Sequence, residues 1–494
     1  MGSFDPAKLN MNYFFDEILI EIFGNLSLQM LKNCRLVCKR WDQLIINNKH
    51  LLKNLQVVLR TSKDIKKFAE IRRMPKDVII LDDQGFSMNV FDHLHNLHSL
   101  IIDLRPCQAY LEPSHFKEIL SSATSLKILY ASDLNFNGDI QNMKECEKIN
   151  LNLTELRCNS ELINILKCTT LKILDLRWHW NLPEDRKTNV INFLSQQKKL
   201  EDLTLNCRNY FYDHFQHFNY EFQLKSFTFF SNCNFSDHKS FIRYLEPHKH
   251  SLQSLNIQMF SFEQSKVAIE EIFKFIMRNL SNLKELELDT VFKGTIRKIE
   301  VLPLQLNNFS SNTIERFGFN DIFYSMDDNK QLIDLLPNMK HLSIKSCFCK
   351  VVELLEYVAS TKPQLESLQV YNFDCVDSAI KFTNLKEFSV HTFSTSIQAL
   401  SSFLARNSKS LERINIGDAA NICQQAVNAI SKCENLKCLT VNVTNNNLRL
   451  VMKTFLGILN RDKPLKIIFK DYPSIKTFML PEDKIIWKKQ IRLN

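Results

Sequence analysis

The sequence predicts an α/β architecture: a small helical unit, then a long curved solenoid with a parallel sheet on its concave face and helices on its convex face. Three observations predict it. A short apolar phrase recurs at nearly even spacing along most of the chain. Amphipathic helical stretches lie between its copies. The first 50 residues lack the phrase and carry dense apolar helical patterns of their own. The expected division is residues 1–54 for the helical unit, 55–470 for the solenoid and 471–494 for a C-terminal cap or tail.

The phrase reads apolar, two residues, apolar, one residue, apolar. It begins at Leu97, Leu126, Leu153, Leu171, Leu200, Leu224, Leu252, Leu283, Ile314, Met339, Leu365, Leu385, Leu411, Leu436 and, degraded, Leu465. These 15 anchors span 368 residues, a mean step near 26. Leucine-rich repeats run about 20–29 residues with this core. Alternation within the phrase gives a short strand with one buried face. Stretches such as KVAIEEIFKFIMRNL, KVVELLEYVAS and SIQALSSFLARNS repeat apolar residues every three or four positions, as a helix does. One strand and one helix cannot bury both apolar faces alone, so neighbouring units must stack. The gaps from Leu153 to Leu171 and from Leu365 to Leu385 leave less room for a helix, and shortened turns are expected there. The repeats resemble the leucine-rich family with a departure. The family often places Asn or Cys eight residues after the first Leu. Cys347 holds that place, and Phe260, Val291, Phe373 and Phe393 fill it elsewhere. Apolar packing is therefore expected to replace the polar ladder.

In the N-terminal unit, Asp16 can cap a helix whose residues Ile18, Leu19, Ile22, Phe23 and Leu26 share a face. Ser27 can cap a second, in which Leu31, Cys34, Val37, Cys38, Trp41 and Leu44 advance by three or four. So small a unit cannot bury all these side chains, so it needs a partner surface. The stretch FFDEILIEIFGNLSLQMLKNCRLVCKRWDQLI resembles an F-box, whose usual phrase is close to LPxELLLEIFxxLSLxDLLRCRLVCKRWRxLI. Phe14-Phe15 stands where the family has Leu-Pro, so these rings are expected to hold the helix edge by packing.

The resemblance implies a non-catalytic substrate-recognition adaptor of an SCF-type ubiquitin ligase, promoting ubiquitination and proteasomal degradation. It implies a Skp-family partner, an indirect link to a cullin scaffold, and an unknown protein substrate on the repeats. The residues it assigns to adaptor binding are Phe14, Phe15, Ile18, Leu19, Ile22, Leu26, Leu31, Cys34, Val37, Cys38 and Trp41. Trp41 either packs within the helices or meets the adaptor. The rival reading is a leucine-rich-repeat scaffold or inhibitor without a ligase role.

Composition limits the alternatives. Only 8 of 494 residues are glycine, against a usual share of about 7%, and no two lie within five residues. Phosphate-cradling loops need clustered glycines, so nucleotide chemistry is not expected. No catalytic residue set can be assembled by spacing, and no cofactor is expected. Cys34 and Cys38 lack the four Cys or His ligands of a structural zinc and read as buried small hydrophobes; no metal is expected. His93, His95 and His98 match no standard metal spacing, and Cys347-x-Cys349 reads as core and loop packing. The net charge of +9 is mild for this length, so nucleic-acid binding is not expected, although it permits a weak RNA contact. No stretch reaches the roughly 18 apolar residues of a membrane span. The start lacks a secretory pattern, and the 14 cysteines read as reduced, in cytoplasm or nucleus.

For the substrate surface, Arg177, Asn206, Phe230, Glu287, Asp289, Lys345, Tyr371 and His391 hold outward places around the strand cores. Trp178 and Trp180 sit just past their strand, where they either bind a partner or pack on the next repeat. Seven of the 14 residues from 209 to 222 are aromatic, and that segment reads as flank packing or a recognition loop.

Overall fold

The computed structural model describes residues 15–24, 28–47, 56–59, 77–80, 97–102, 110–111, 113–131, 135–136, 148–177, 184–207, 220–231, 238–259, 266–290, 309–319, 326–345, 351–372, 380–392, 397–417, 424–442, 466–470 and 485–487. The chain divides into two units, the first formed by residues 1–206 with 219–222, the second by 207–218 with 223–494.

The first unit begins with three helices, α1 (Asp16–Gly24), α2 (Leu28–Arg35) and α3 (Lys39–Asn47). The sequence pattern predicts one helix over the last two. The chain instead turns at Leu36 and Val37, whose amides reach back three residues to the carbonyls of Asn33 and Cys34 at 3.0 and 3.2 Å. Such tight bonds end a helix rather than extend it. The turn lets α3 fold back, so Trp41 and Ile45 bury against Leu19 and Phe23. Parallel strands follow: β1 (Gln56–Leu59), β2 (Asp77–Ile80), β3 (Ser99–Ile102), β5 (Ile128–Ala131), β8 (Glu155–Asn159), β10 (Ile173–Arg177) and β11 (Asp202–Cys207). Short side pairs flank them, β4 (Tyr110–Leu111) with β6 (Asn135–Phe136) and β7 (Ile149–Asn150) with β9 (Leu166–Lys167). In the short step between Leu153 and Leu171, one 3-10 turn, Leu162–Ile165, takes the place of a helix.

The second unit continues the pattern with β12 (Ser226–Ser231), β13 (Ser254–Met259), β14 (Glu285–Thr290), β15 (Arg316–Phe319), β16 (His341–Ile344) and β17 (Ser367–Asn372). Next come β18 (Glu387–Thr392), β19 (Arg413–Ile416), β20 (Cys438–Asn442), β21 (Lys466–Lys470) and β22 (Ile485–Trp487). Each pairs in parallel with the next. The register is set by the phrase: Leu255 faces Leu286, and Ile257 faces Leu288. A slip of one residue would turn every buried side chain outward, so the apolar pattern holds the register. β22 lies inside the segment expected to be a cap or tail, and β1 and β2 precede the first phrase.

The phrase residues form the core. Leu252, Leu255, Ile257, Leu283, Leu286, Phe317, Leu365, Leu368 and Val370 are all buried. Helices cover this face of the sheet. Phe241, in the helix His238–Leu245, lies 5.4 Å from Phe229 between ring centroids. Phe403, in the helix Ile397–Asn407, lies 4.6 Å from Phe388. Truncating one such ring to Ala costs about 3–5 kcal/mol.

Polar bonds also tie repeats together, at a place the phrase does not mark. Gln197, His248, Lys362 and Asn407 each sit three or four residues before a phrase leucine and are buried. Each bonds to the backbone of the preceding repeat. Gln197 Nε2 donates to the Cys168 carbonyl at 2.7 Å, and Lys362 Nζ to the Leu336 carbonyl at 3.1 Å. The Leu224 amide donates to His248 Nδ1 at 3.3 Å, and the Phe382 amide to Asn407 Oδ1 at 2.8 Å. Burial pushes the His248 imidazole down to about 4 and lowers the Lys362 ammonium, with Asp334 opposing the latter shift. Cys347 and the residues filling the family's polar position elsewhere lie outside the described residues.

Just ahead of the strands, charges alternate between neighbours. Glu315 pairs with Lys340 at 3.1 Å, Glu366 with Lys386 at 3.0 Å, and Glu412 with Lys437 at 2.8 Å. Such exposed pairs are individually weak, but opposite charges across adjacent strands favour this register over one that aligns like charges.

Candidate functional site

Two surfaces stand out. The first lies on α1–α3. Leu19, Phe23, Trp41 and Ile45 form a small core, with Cys34, Cys38 and Leu44 packed against it. The Phe23 and Trp41 rings meet edge to face at 5.2 Å. Arg40 holds Asp16 at 2.5 Å, joining α3 to the start of α1, and Arg35 holds Asp42 at 2.7 Å. The structure thus places Leu19 and Trp41 in the core of this chain rather than on the surface offered to a partner. Cys34 and Cys38 are packing residues, and burial raises the Cys34 thiol, which disfavours the reactive thiolate.

Outside this core, apolar side chains face water: Phe15 at 75% exposure, Ile18, Met30, Leu36 at 85% and Val37 at 60%. Ile22 is half-buried. The expectation that Phe15 holds the helix edge by packing is not met, because its ring finds no cover within the small unit. Phe14 and Leu26 lie outside the described residues, as does the Leu31 side chain. Leu36 and Met30 were not anticipated. Leu36 belongs to the turn that interrupts the expected helix, where helical spacing no longer tells which way a side chain points.

The second surface is the face of the second unit's sheet opposite the helices. On β14, Glu287 and Asp289 point outward and receive Lys345 from beyond the end of β16, at 2.6 and 3.2 Å. Asn256 Nδ2 donates to Glu287 at 2.8 Å, and Gln258 Nε2 to Asp289 at 3.1 Å. Burial alone would lower the Lys345 ammonium, but Glu287 and Asp289 outweigh it and hold it above the ordinary lysine value. Gly318, on the intervening β15, leaves room for the Glu287 side chain. A Cβ there would stand 3.1 Å from Glu287 Cγ and 3.5 Å from Ser343 Cβ. Further along, Tyr371 and His391 stack at 5.2 Å with their planes 15° apart, and Gln369 Nε2 lies 2.9 Å from His391 Nε2.

The structure therefore brings together Glu287, Asp289 and Lys345, and separately Tyr371 and His391. Phe230 is half-buried on β12. Arg177 and Asn206 are register partners in the first unit, where Arg177 lies 3.8 Å from Asp175. Trp178 and Trp180 lie outside the described residues, as does the aromatic segment except Tyr220, Glu221 and Phe222. Gly318, Asn256 and Gln258 were not anticipated; their roles depend on strands some 30 residues away. Among the described residues, no group of three or more His, Cys, Asp or Glu side chains could hold a metal ion. Among those residues too, no helix is long and apolar enough to cross a membrane.

Residues 16–56 match the F-box-like family model. No curated protein matches the chain. A solved chain from the crystal structure of a TLR13–ssRNA13 complex matches at 14% identity with a TM-score of 0.33. The match covers 81% of this chain and 61% of that one, so the chain spans less than two thirds of its length. With its repeating phrase, parallel strands and covering helices, the chain carries an F-box-like domain at residues 16–56 followed by an array of leucine-rich repeats.

Proposed function

We propose that the protein is a non-catalytic substrate-recognition adaptor of an SCF-type ubiquitin ligase. The F-box-like helices dock on a Skp-family subunit that links to a cullin scaffold. The repeats hold a protein substrate for ubiquitination and proteasomal degradation, in cytoplasm or nucleus. One observation carries this reading: a domain of F-box type leaves Phe15, Ile18, Met30, Leu36 and Val37 in water around a core of only a few residues. Solvent-exposed apolar clusters of this kind mark protein-binding sites. Transfer chemistry then belongs to other subunits, and this chain contributes proximity.

Coexpression of the full chain with a Skp-family subunit tests the proposal. The two are expected to co-purify, and Leu36→Asp with Val37→Asp is expected to abolish co-purification while the repeats stay folded. Absence of the subunit from the unmodified chain would overturn the ligase role and leave a repeat scaffold.

A further inference from the structure

Among the described residues, six large apolar side chains are exposed. Five lie on the helical unit. The sixth is Tyr371, at 47% exposure, on the open sheet face of the second unit. Its orientation is fixed from one side. His391 stacks on it nearly parallel, and His391 is itself held by Gln369. A ring pre-set in this way loses little entropy when a partner lands on it. Aromatic anchors of this kind dominate interface energies.

The charges of the same face, three strands away on β14, bear on the partner. Among the described residues, the only formal charges at the second and third outward positions from β12 to β19 are Glu287, Asp289 and Lys345, so this band carries one negative charge on a chain of net +9. At the first outward position Glu285 pairs with Arg316, and Glu387 with Arg413. Lys345 follows Ile344, whose partner is Val370, so it lies beside Tyr371 in the register. Its ammonium nevertheless turns the other way, past β15 to the two carboxylates on β14. A half-exposed ring in a band with one surplus negative charge suits a flat, weakly hydrated cation.

We propose that this face, read as the substrate surface of the function above, takes an arginine-bearing segment of its protein partner. The guanidinium lies on the Tyr371 ring, and Glu287 and Asp289 supply the attracting field. Arginine fits better than lysine, because a planar guanidinium can stack on the ring while its edge still donates hydrogen bonds.

The test uses the purified full chain and fluorescein-labelled octa-arginine, octa-lysine and octa-glutamate peptides, read by anisotropy. Octa-arginine is expected to bind more tightly than octa-lysine, and octa-glutamate not at all. Tyr371→Leu, which keeps bulk but removes the ring, is expected to weaken octa-arginine binding roughly fivefold, while Tyr371→Phe leaves it unchanged. Glu287→Gln with Asp289→Asn is expected to weaken it as well, and unchanged thermal melting shows that each variant is folded. Binding of octa-glutamate, octa-arginine binding indifferent to Tyr371→Leu, or tighter binding of a single-stranded RNA oligonucleotide at Tyr371 overturns the inference. Co-purification of the Skp-family subunit is scored separately. Its loss alone overturns the ligase reading, and its presence without ring-dependent arginine binding overturns this inference alone.

Discussion

Replacing Asn407 with Leu probes the polar stitching between repeats. Asn407 is almost fully buried at the end of its helix. Its Oδ1 accepts the Phe382 amide at 2.8 Å, and its Nδ2 donates to the Phe403 carbonyl at 2.8 Å and, more weakly, to the Ile380 carbonyl at 3.4 Å. Leucine has similar volume, so no large cavity opens, and the cost isolates the lost polar partners. The Phe382 amide would remain buried with its acceptor gone, at about 1–3 kcal/mol. The Ile380 carbonyl adds little at its longer distance, and the Phe403 carbonyl already accepts within its helix. The expected loss is about 2 kcal/mol, borne locally, because repeats are stabilised by neighbour contacts. Urea unfolding of the full chain measures the total. Hydrogen exchange measures the place, with faster exchange expected at residues 380–385 and 403–411 and none in the first unit. A loss under about 0.5 kcal/mol with unchanged exchange at Phe382 would refute the reasoning, since surface-like substitutions cost that little.

Further outcomes follow from other residues. Buried His248, lowered to about 4 by desolvation, is neutral when folded and charges near its ordinary value when unfolded. Its contribution is therefore complete above about pH 6.5 and lost as pH falls toward about 4, amounting to about 3 kcal/mol. His248→Asn should flatten melting temperature against pH across that window, and an unchanged slope would contradict it. Gly417→Ala would place a Cβ 2.5 Å from the His391 carbonyl oxygen and 2.6 Å from its Cα, both backbone atoms. A loss above about 3 kcal/mol is expected in urea unfolding, and a variant as stable as the parent would show that β18 and β19 can part. Val37→Ala should weaken adaptor binding roughly tenfold without altering the melting of the chain, whereas Phe23→Ala should unfold α1–α3. Titration calorimetry and circular dichroism separate the two effects; similar behaviour of both variants would erase the distinction between core and docking surface.

Some of this protein was legible in its residues alone. The phrase from Leu97 to Leu465 determined the strand positions, the buried face and the parallel stacking, because period-two alternation forces one face inward wherever it occurs. The dense match from Phe14 to Ile45 determined the F-box-like unit. The array's first and last strands, β1, β2 and β22, were not legible from the phrase, because terminal repeats keep an apolar strand without the full leucine spacing.

Tertiary structure decided what depends on residues distant in the chain. Trp41 went to the core because the turn at Leu36 and Val37 folds α3 back onto Phe23, and Phe15 stayed in water because nothing in so small a unit could cover it. The polar position expected after the strands gave no sign that bonds would form at Gln197, His248, Lys362 and Asn407. Their partners are backbone groups about 25 residues earlier, whose approach is set only when one repeat stacks on the next. Glu287 was legible as an outward carboxylate. That Lys345 reaches it past β15, while Tyr371 stacks on His391, was decided by strand register, because strands of one parallel sheet are brought side by side by folding and lie one or more whole repeats apart in the sequence.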